Sequence, residues 1–338
     1  MSEPCLRPFC NGTLSVSTAL MILLALFGVS CAAETKESDL VETVLIRGAT
    51  VSLGTPITNS RSKEYHEDEA PRQVKLNTFR IGKYPVTAEQ FCLFLNSEHG
   101  VTHDPASLFF SGSERNHSSV RLSGGEFHPL RGFEKVPVNS VSWKGGVLFC
   151  AWLSEVTGRH FRLPSEAEWE MVARGIQGRP WPWGQCAPRA IHGERYTTPG
   201  DPHSVLPQHP VGSFPANTTP EGVCDMMGYI IGEWCAGKAG TDENTPDLLG
   251  TDMDVGDLVS KRPIRGMGSR MDSRPSTPRW LQPLLWETPY GSHPGRAWTR
   301  TWAPPVGWKG YVCGFRVVEV LKEEGVAGSR GDGSTLEY

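Results

Sequence analysis

The chain has 338 residues, 38% of them apolar, with 37 glycines, 27 prolines and 11 tryptophans, enough to bury a full core while giving much of its length to turns. A formal net charge of -4 leaves no surplus of lysine and arginine to neutralise a phosphate backbone, so no nucleic-acid partner is expected. The expected partner is a small molecule, a peptide or a protein.

Residues 1–33 stand apart from the rest. Ala19 to Val29 (ALMILLALFGV) is an uninterrupted apolar run, followed by Ser30, Cys31, Ala32 and Ala33. At about 1.5 Å per residue it is too short for a hydrocarbon core of about 30 Å, and it fits the apolar region of an export signal. The expectation is an exported, periplasmic protein. Cleavage either follows a small-residue site near Ala33 or precedes Cys31, in which case Cys31 carries a lipid anchor; an uncleaved anchor is the third alternative. Membrane contact is expected only through such an anchor.

Val41 to Leu53 alternates and is rich in β-branched residues, which predicts a strand pair turning at Arg47-Gly48. An acidic, polar loop follows, and VKLNTFRIGKYPVT reads as strand leading into a helix. Thr87-x-x-Gln90 has capping-box spacing, and Phe91, Phe94 and Leu95 give the helix an apolar stripe that belongs to the core. Residues 100–135 show no sustained period and read as an inserted loop. Lys144 to Val156 predicts a helix stopped by Gly158, and Ser165-x-x-Glu168 opens another that ends at Gly175, with Glu166 and Glu168 at its positive end. After Arg179 the chain turns to short strands dense in Trp, Gly and Pro, and residues 322–338 lack the apolar content to fold. Past the export signal the cysteines are Cys92, Cys150, Cys186, Cys224, Cys235 and Cys313, an even set with no C-x-x-C pair. That set allows disulfides but assigns none, and Cys92 and Cys150, in apolar runs, are expected to be buried and free. Asn116 and Asn217 open glycosylation sequons, meaningful only if the chain enters a eukaryotic secretory route.

Several stretches in this order resemble the formylglycine-generating enzyme, or sulfatase-modifying-factor, family. They are VLIRGATVSLG, APRQVKLNTFRIGKYPVTAEQFCLFL, VPVNSVSWKGGVLFCAWLSEVTGRHFRLPSEAEWEMVARG, PWPWG, HPVGSFPAN, GVCDMMG, GEWC, RPIRGMGS and CGFRVV. The combination of RLPSEAEWE, PWG, GEW and a terminal GFRVV is highly specific. The resemblance implies one α+β domain over residues 41–321, of the C-type-lectin-like fold, with low regular secondary structure and two packing helices.

The same resemblance frames the site. Oxidases of the family hold copper(I) between two thiolates spaced S-x-x-C-x4-C after a glycine-serine turn. Laid on Gly268-Ser269, that spacing falls on Asp272 and Thr277, neither of them a thiol, so copper is not expected. Nor is the H-x3-H-x-E iron pattern of the ergothioneine branch present. The family's calcium stretches are altered: Gly228 to Trp234 keeps the Glu-Trp but loses an asparagine oxygen, and pairing with an arginine is the expected role of Glu233. Asp252, Asp254 and Asp257 have a fragment of calcium-loop spacing, competing with a plain solvated acidic loop. No other cofactor is expected.

Residues 271–312 interleave tryptophans and tyrosines with arginines, the rigid area and forked donors of a recognition groove. The groove candidates are Glu233, Trp234, Ser269, Asp272, Arg274, Arg300 and Trp302. The leading expectation is a protein- or peptide-binding module of the cell envelope. Its alternatives are an oxidoreductase of the formylglycine-generating type, another periplasmic peptide-maturation enzyme with Asp272 or Glu233 as acid-base group, and a surface receptor of the hypervariable lectin type.

Overall fold

The computed structural model describes residues 40–54, 71–109, 118–185, 209–215, 217–227, 232–237, 262–266, 301–303 and 313–321, all within one compact unit that begins at Leu40. Strands β1 (Thr43–Ile46) and β2 (Ala49–Leu53) form where the alternation predicts strands. They do not pair with each other. β3 (Arg72–Leu76) runs antiparallel to β2, and β4 (Phe79–Gly82) antiparallel to β1, so Arg47-Gly48 is a bend in one long arm rather than a reversal. The bend needs glycine for space: a Cβ on Gly48 would lie 2.6 Å from the Leu76 carbonyl oxygen and 2.7 Å from the Asn77 carbonyl carbon. The expected strand pair is thus corrected, because close backbone crossing and tight turning leave the same glycine in the sequence.

Helix α1 (Ala88–Leu95) has the predicted cap: Gln90 N–H donates to Thr87 Oγ1 and Thr87 N–H to Gln90 Oε1. Phe91, Phe94 and Leu95 are buried. The stretch expected as an irregular insert holds two one-turn helices, α2 (Glu98–Val101) and α3 (Pro105–Leu108), and a hairpin of β5 (Val120–Ser123) and β6 (Glu126–Pro129). Elements of four residues are too short to establish a period, which is why the pattern was silent.

Helices α4 (Trp143–Thr157) and α5 (Glu166–Arg174) are the two longest described helices, stopped at Gly158 and Gly175. Both core clusters draw on them: α4 packs with α1, Phe161 and Phe315, while α5 packs under the β2–β3 ribbon with Val51, Leu53 and Val74. Every residue of α5 is buried, its three glutamates and Arg174 included. Ser165 closes a capping box with Glu168 at its start, and Ser165→Ala is expected to lower the unfolding free energy by about 1 kcal/mol, read as a lower urea midpoint at unchanged slope.

Two four-stranded sheets complete the fold. In one the order is β1-β4-β12-β7, with β7 (Phe161–Arg162) and β12 (Val318–Glu319); in the other it is β10-β9-β8-β11, with β8 (Gly232–Trp234), β9 (Arg262–Arg265), β10 (Thr301–Ala303) and β11 (Cys313–Gly314). Only β8 and β11 run parallel among the described pairs. Cys92, Cys150, Cys224, Cys235 and Cys313 are buried and free, and Cys186 lies outside the described residues. No described helix is long and apolar enough to cross a membrane; the apolar run at 19–29 lies outside the described residues, as do Cys31, the 322–338 tail and Asn116. Asn217 is fully buried and its amide donates to the Met227 carbonyl, so its sequon is closed to glycosylation in the folded protein.

Candidate functional site

The sheet β10-β9-β8-β11 is the floor from which the stretch Arg265 to Thr277 (RGMGSRMDSRPST), with the glycine-serine turn of the family pattern, continues. β9 enters it with Arg265, whose guanidinium is completely buried and donates to Glu166 Oε1 at 3.0 Å and Glu170 Oε2 at 3.1 Å. Glu170 also accepts from Arg174 at 2.8 Å and from the Gly54 backbone N–H at 2.6 Å. One carboxylate therefore ties the end of β2, helix α5 and β9 together. Gly266 follows at φ 78, in the left-handed region, and a Cβ there would sit 2.8 Å from the Met226 carbonyl oxygen and 3.1 Å from the Trp169 ring. The first two residues of the segment are thus fixed by charge and by space.

Beside them, Glu233 on β8 is 2% exposed. Arg316 grips it through both oxygens, Nε to Oε2 at 2.6 Å and a terminal nitrogen to Oε1 at 2.7 Å, and the Trp169 indole donates to Oε2 at 2.8 Å. Arg316 spends its remaining donors on the carbonyls of Gly82, Cys224 and Asp225. Its hold on Asp225 steadies a non-glycine residue at φ 58. The expected arginine partner of Glu233 is therefore Arg316. Trp234, 1% exposed, donates its indole N–H to the Val141 carbonyl at 2.8 Å. Arg262 lies 3.9 Å from the centroid of the Trp143 ring.

A third buried pair braces α5: Arg162 meets Glu168 through two hydrogen bonds of 2.7 Å. Burial alone would raise the Glu168 and Glu170 carboxyls, but Arg162 beside the first, and Arg265 with Arg174 beside the second, hold both below the ordinary range. For the thiols burial prevails: Cys92 is pushed up to about 12, with Glu89 adding to the effect, and Cys150 and Cys313 are raised as well. Buried in apolar surroundings, these thiols are held in the protonated form.

Of the groove candidates, Glu233 and Trp234 are thus interior residues whose hydrogen bonds face the core. Trp302 lies on β10 with its backbone opposite Pro263. Ser269, Asp272, Arg274, Thr277 and Arg300, and the calcium candidates Asp252, Asp254 and Asp257, lie outside the described residues. Among the described residues no group of three or more His, Cys, Asp or Glu side chains could hold a metal. Sequence reasoning missed Arg265, Arg316 and Trp169, which organise the floor. The signal available was a nine-residue helix with three glutamates in a chain rich in isolated arginines, a pattern that equally describes a solvated helix.

Residues 29–281 match the model of the sulfatase-modifying factor enzyme 1-like domain. The chain belongs to that family. Among relatives of this sulfatase-modifying-factor member, the serine/threonine-protein kinase pkn1 of Chlamydia pneumoniae is 32% identical over 204 residues, covering 60% of this chain and 29% of the kinase. The chain thus spans less than a third of that relative's length. The inactive C-alpha-formylglycine-generating enzyme 2 of Bos taurus is 28% identical over 257 residues, 67% of this chain and 79% of the relative. The fold is shared with PvdO from Pseudomonas aeruginosa at a TM-score of 0.53 and 22% identity, over 85% of this chain and 97% of that one. The fold is accordingly α+β and of the formylglycine-generating-enzyme, C-type-lectin-like kind.

Proposed function

We propose that this sulfatase-modifying-factor member is an exported binding or assembly module of the cell envelope, which takes a protein or peptide ligand along residues 271–312 and does not oxidise it. The observation that carries the reading is the donor set after the glycine-serine turn. Asp272 and Thr277 offer a carboxylate and a hydroxyl where the family's copper chemistry needs two thiolates, and a soft copper(I) ion does not fit hard oxygens. The described thiols add support, because all five are buried and none of them stands at either thiol position after that turn in the sequence. Glu233 adds more: it is 2% exposed, and both of its oxygens are engaged by Arg316 and Trp169 in the interior. What remains for recognition is the arginine and tryptophan content of the segment, with Ser269, Asp272, Arg274, Arg300 and Trp302 as its contacts.

The test is to incubate the purified protein and copper(I) with a peptide carrying Cys-x-Pro-x-Arg under oxygen and to follow the peptide by mass spectrometry. The expected result is an unchanged cysteine, with no aldehyde above the protein-free control. Robust turnover to formylglycine would overturn the proposal.

A further inference from the structure

Among the described residues the β5–β6 hairpin has one closed edge and one open edge, and we infer that the open edge of β5 pairs with the same edge of a second copy of this chain about a two-fold axis. Ser123 and Glu126 flank a two-residue Gly124-Gly125 turn, both glycines at positive φ, which makes them a hydrogen-bonded pair. The alternation of an antiparallel ladder then makes Leu122 opposite Phe127 a non-hydrogen-bonded pair, with the N–H and C=O of each directed away from the other strand. On the β6 side the Asn96 side chain takes that place. Its amide donates to the Phe127 carbonyl and its oxygen accepts the Phe127 N–H, both at 2.8 Å, so a carboxamide closes this edge as a third strand would. On the β5 side Leu122 N–H and C=O have no partner among the described residues, and the leucine side chain is 63% exposed. An open strand edge carrying an exposed leucine is a template for another strand.

Charge and hydrogen bonding choose the occupant and its register. Val120 N–H is already donated to Ser118 Oγ at 3.2 Å, so a pairing centred there would lack a donor in each copy. Centring on Arg121 would set two guanidinium groups directly opposite each other, which is unfavourable. Centring on Leu122 gives two reciprocal N–H to C=O bonds across the axis and sets Arg121 of one copy opposite Ser123 of the other. Ser123 is paired with Glu126 in its own hairpin, so Arg121 reaches over a small side chain toward Glu126 of the second copy. The two-fold axis repeats that contact. On the opposite face Phe127, Leu122, Leu122 and Phe127 of the two copies form a continuous apolar row. Glu126 lies within 3.9 Å of His128 and is otherwise exposed, which leaves it available to an incoming arginine.

Sedimentation equilibrium on the purified full chain tests this. The wild type is expected to show a concentration-dependent monomer–dimer equilibrium. Arg121→Glu should weaken dimerisation about tenfold, and Arg121→Glu with Glu126→Arg should restore it, because the swap rebuilds both contacts. Leu122→Pro, which removes the outward N–H and the leucine side chain while leaving the hydrogen bonds within the hairpin in place, should leave the protein monomeric. A wild type that stays monomeric up to about 1 mM would overturn the inference. So would a charge swap that fails to rescue.

Discussion

Glu233→Ala is expected to cost about 3–5 kcal/mol of unfolding free energy. The substitution removes little volume, so the effect comes from what it leaves behind. Arg316 is fully buried, and its charge would lose the carboxylate that now meets it through two nitrogens at 2.6 and 2.7 Å. The Trp169 indole would lose its acceptor as well. Urea unfolding followed by tryptophan fluorescence measures the loss. Replacing Glu233 and Arg316 together by leucine and methionine should cost less than the sum of the two separate replacements, since neither charge is then left without its partner. If the single variant unfolds within about 1 kcal/mol of the wild type, the pair is not a structural centre.

Acid should unfold this protein through α5. Glu168 and Glu170 ionise more readily in the folded chain than the ordinary glutamate value of 4.5, because Arg162 serves the first, and Arg265 and Arg174 the second, against the opposing pull of burial. A carboxyl with a depressed folded pKa binds fewer protons when folded than when unfolded. Its contribution is complete above the unfolded value and is lost as pH falls through the folded one. The urea midpoint should therefore hold level from pH 7 to about 5 and drop steeply below about 4.5. Glu168→Gln should lower the midpoint at neutral pH and flatten the acid limb. A wild-type midpoint unchanged down to pH 3 would contradict the assignment.

Local chemistry was legible in the sequence wherever three or four consecutive residues decide the structure. The capping boxes at Thr87 and Ser165, the helix stops at Gly158 and Gly175, and the burial of Cys92 and Cys150 follow from such short patterns. The order of RLPSEAEWE, PWG, GEW and GFRVV pointed to the family and hence to the fold. Arg316 and Glu233 are 83 residues apart, however, and Arg265 and Glu166 are 99 apart, so no local window contains either pair. The strands that carry Glu233 and Arg265 have three and four residues, too few for an alternation to be read, and Arg316 lies between two two-residue strands. Arg47-Gly48 shows the complementary limit, since a glycine required for clearance looks the same as one required for a turn.

Strands β1 and β12 both pair with β4, one on each side of it. Neighbouring strands lie about 4.8 Å apart, and Thr43 at the start of β1 and Glu319 at the end of β12 are two register positions apart along β4, so the polypeptide enters this domain and leaves it roughly 12 Å apart. A unit whose entrance and exit are that close works as a cassette. It can hang from a neighbouring segment or be spliced into a host loop without the host having to span its width.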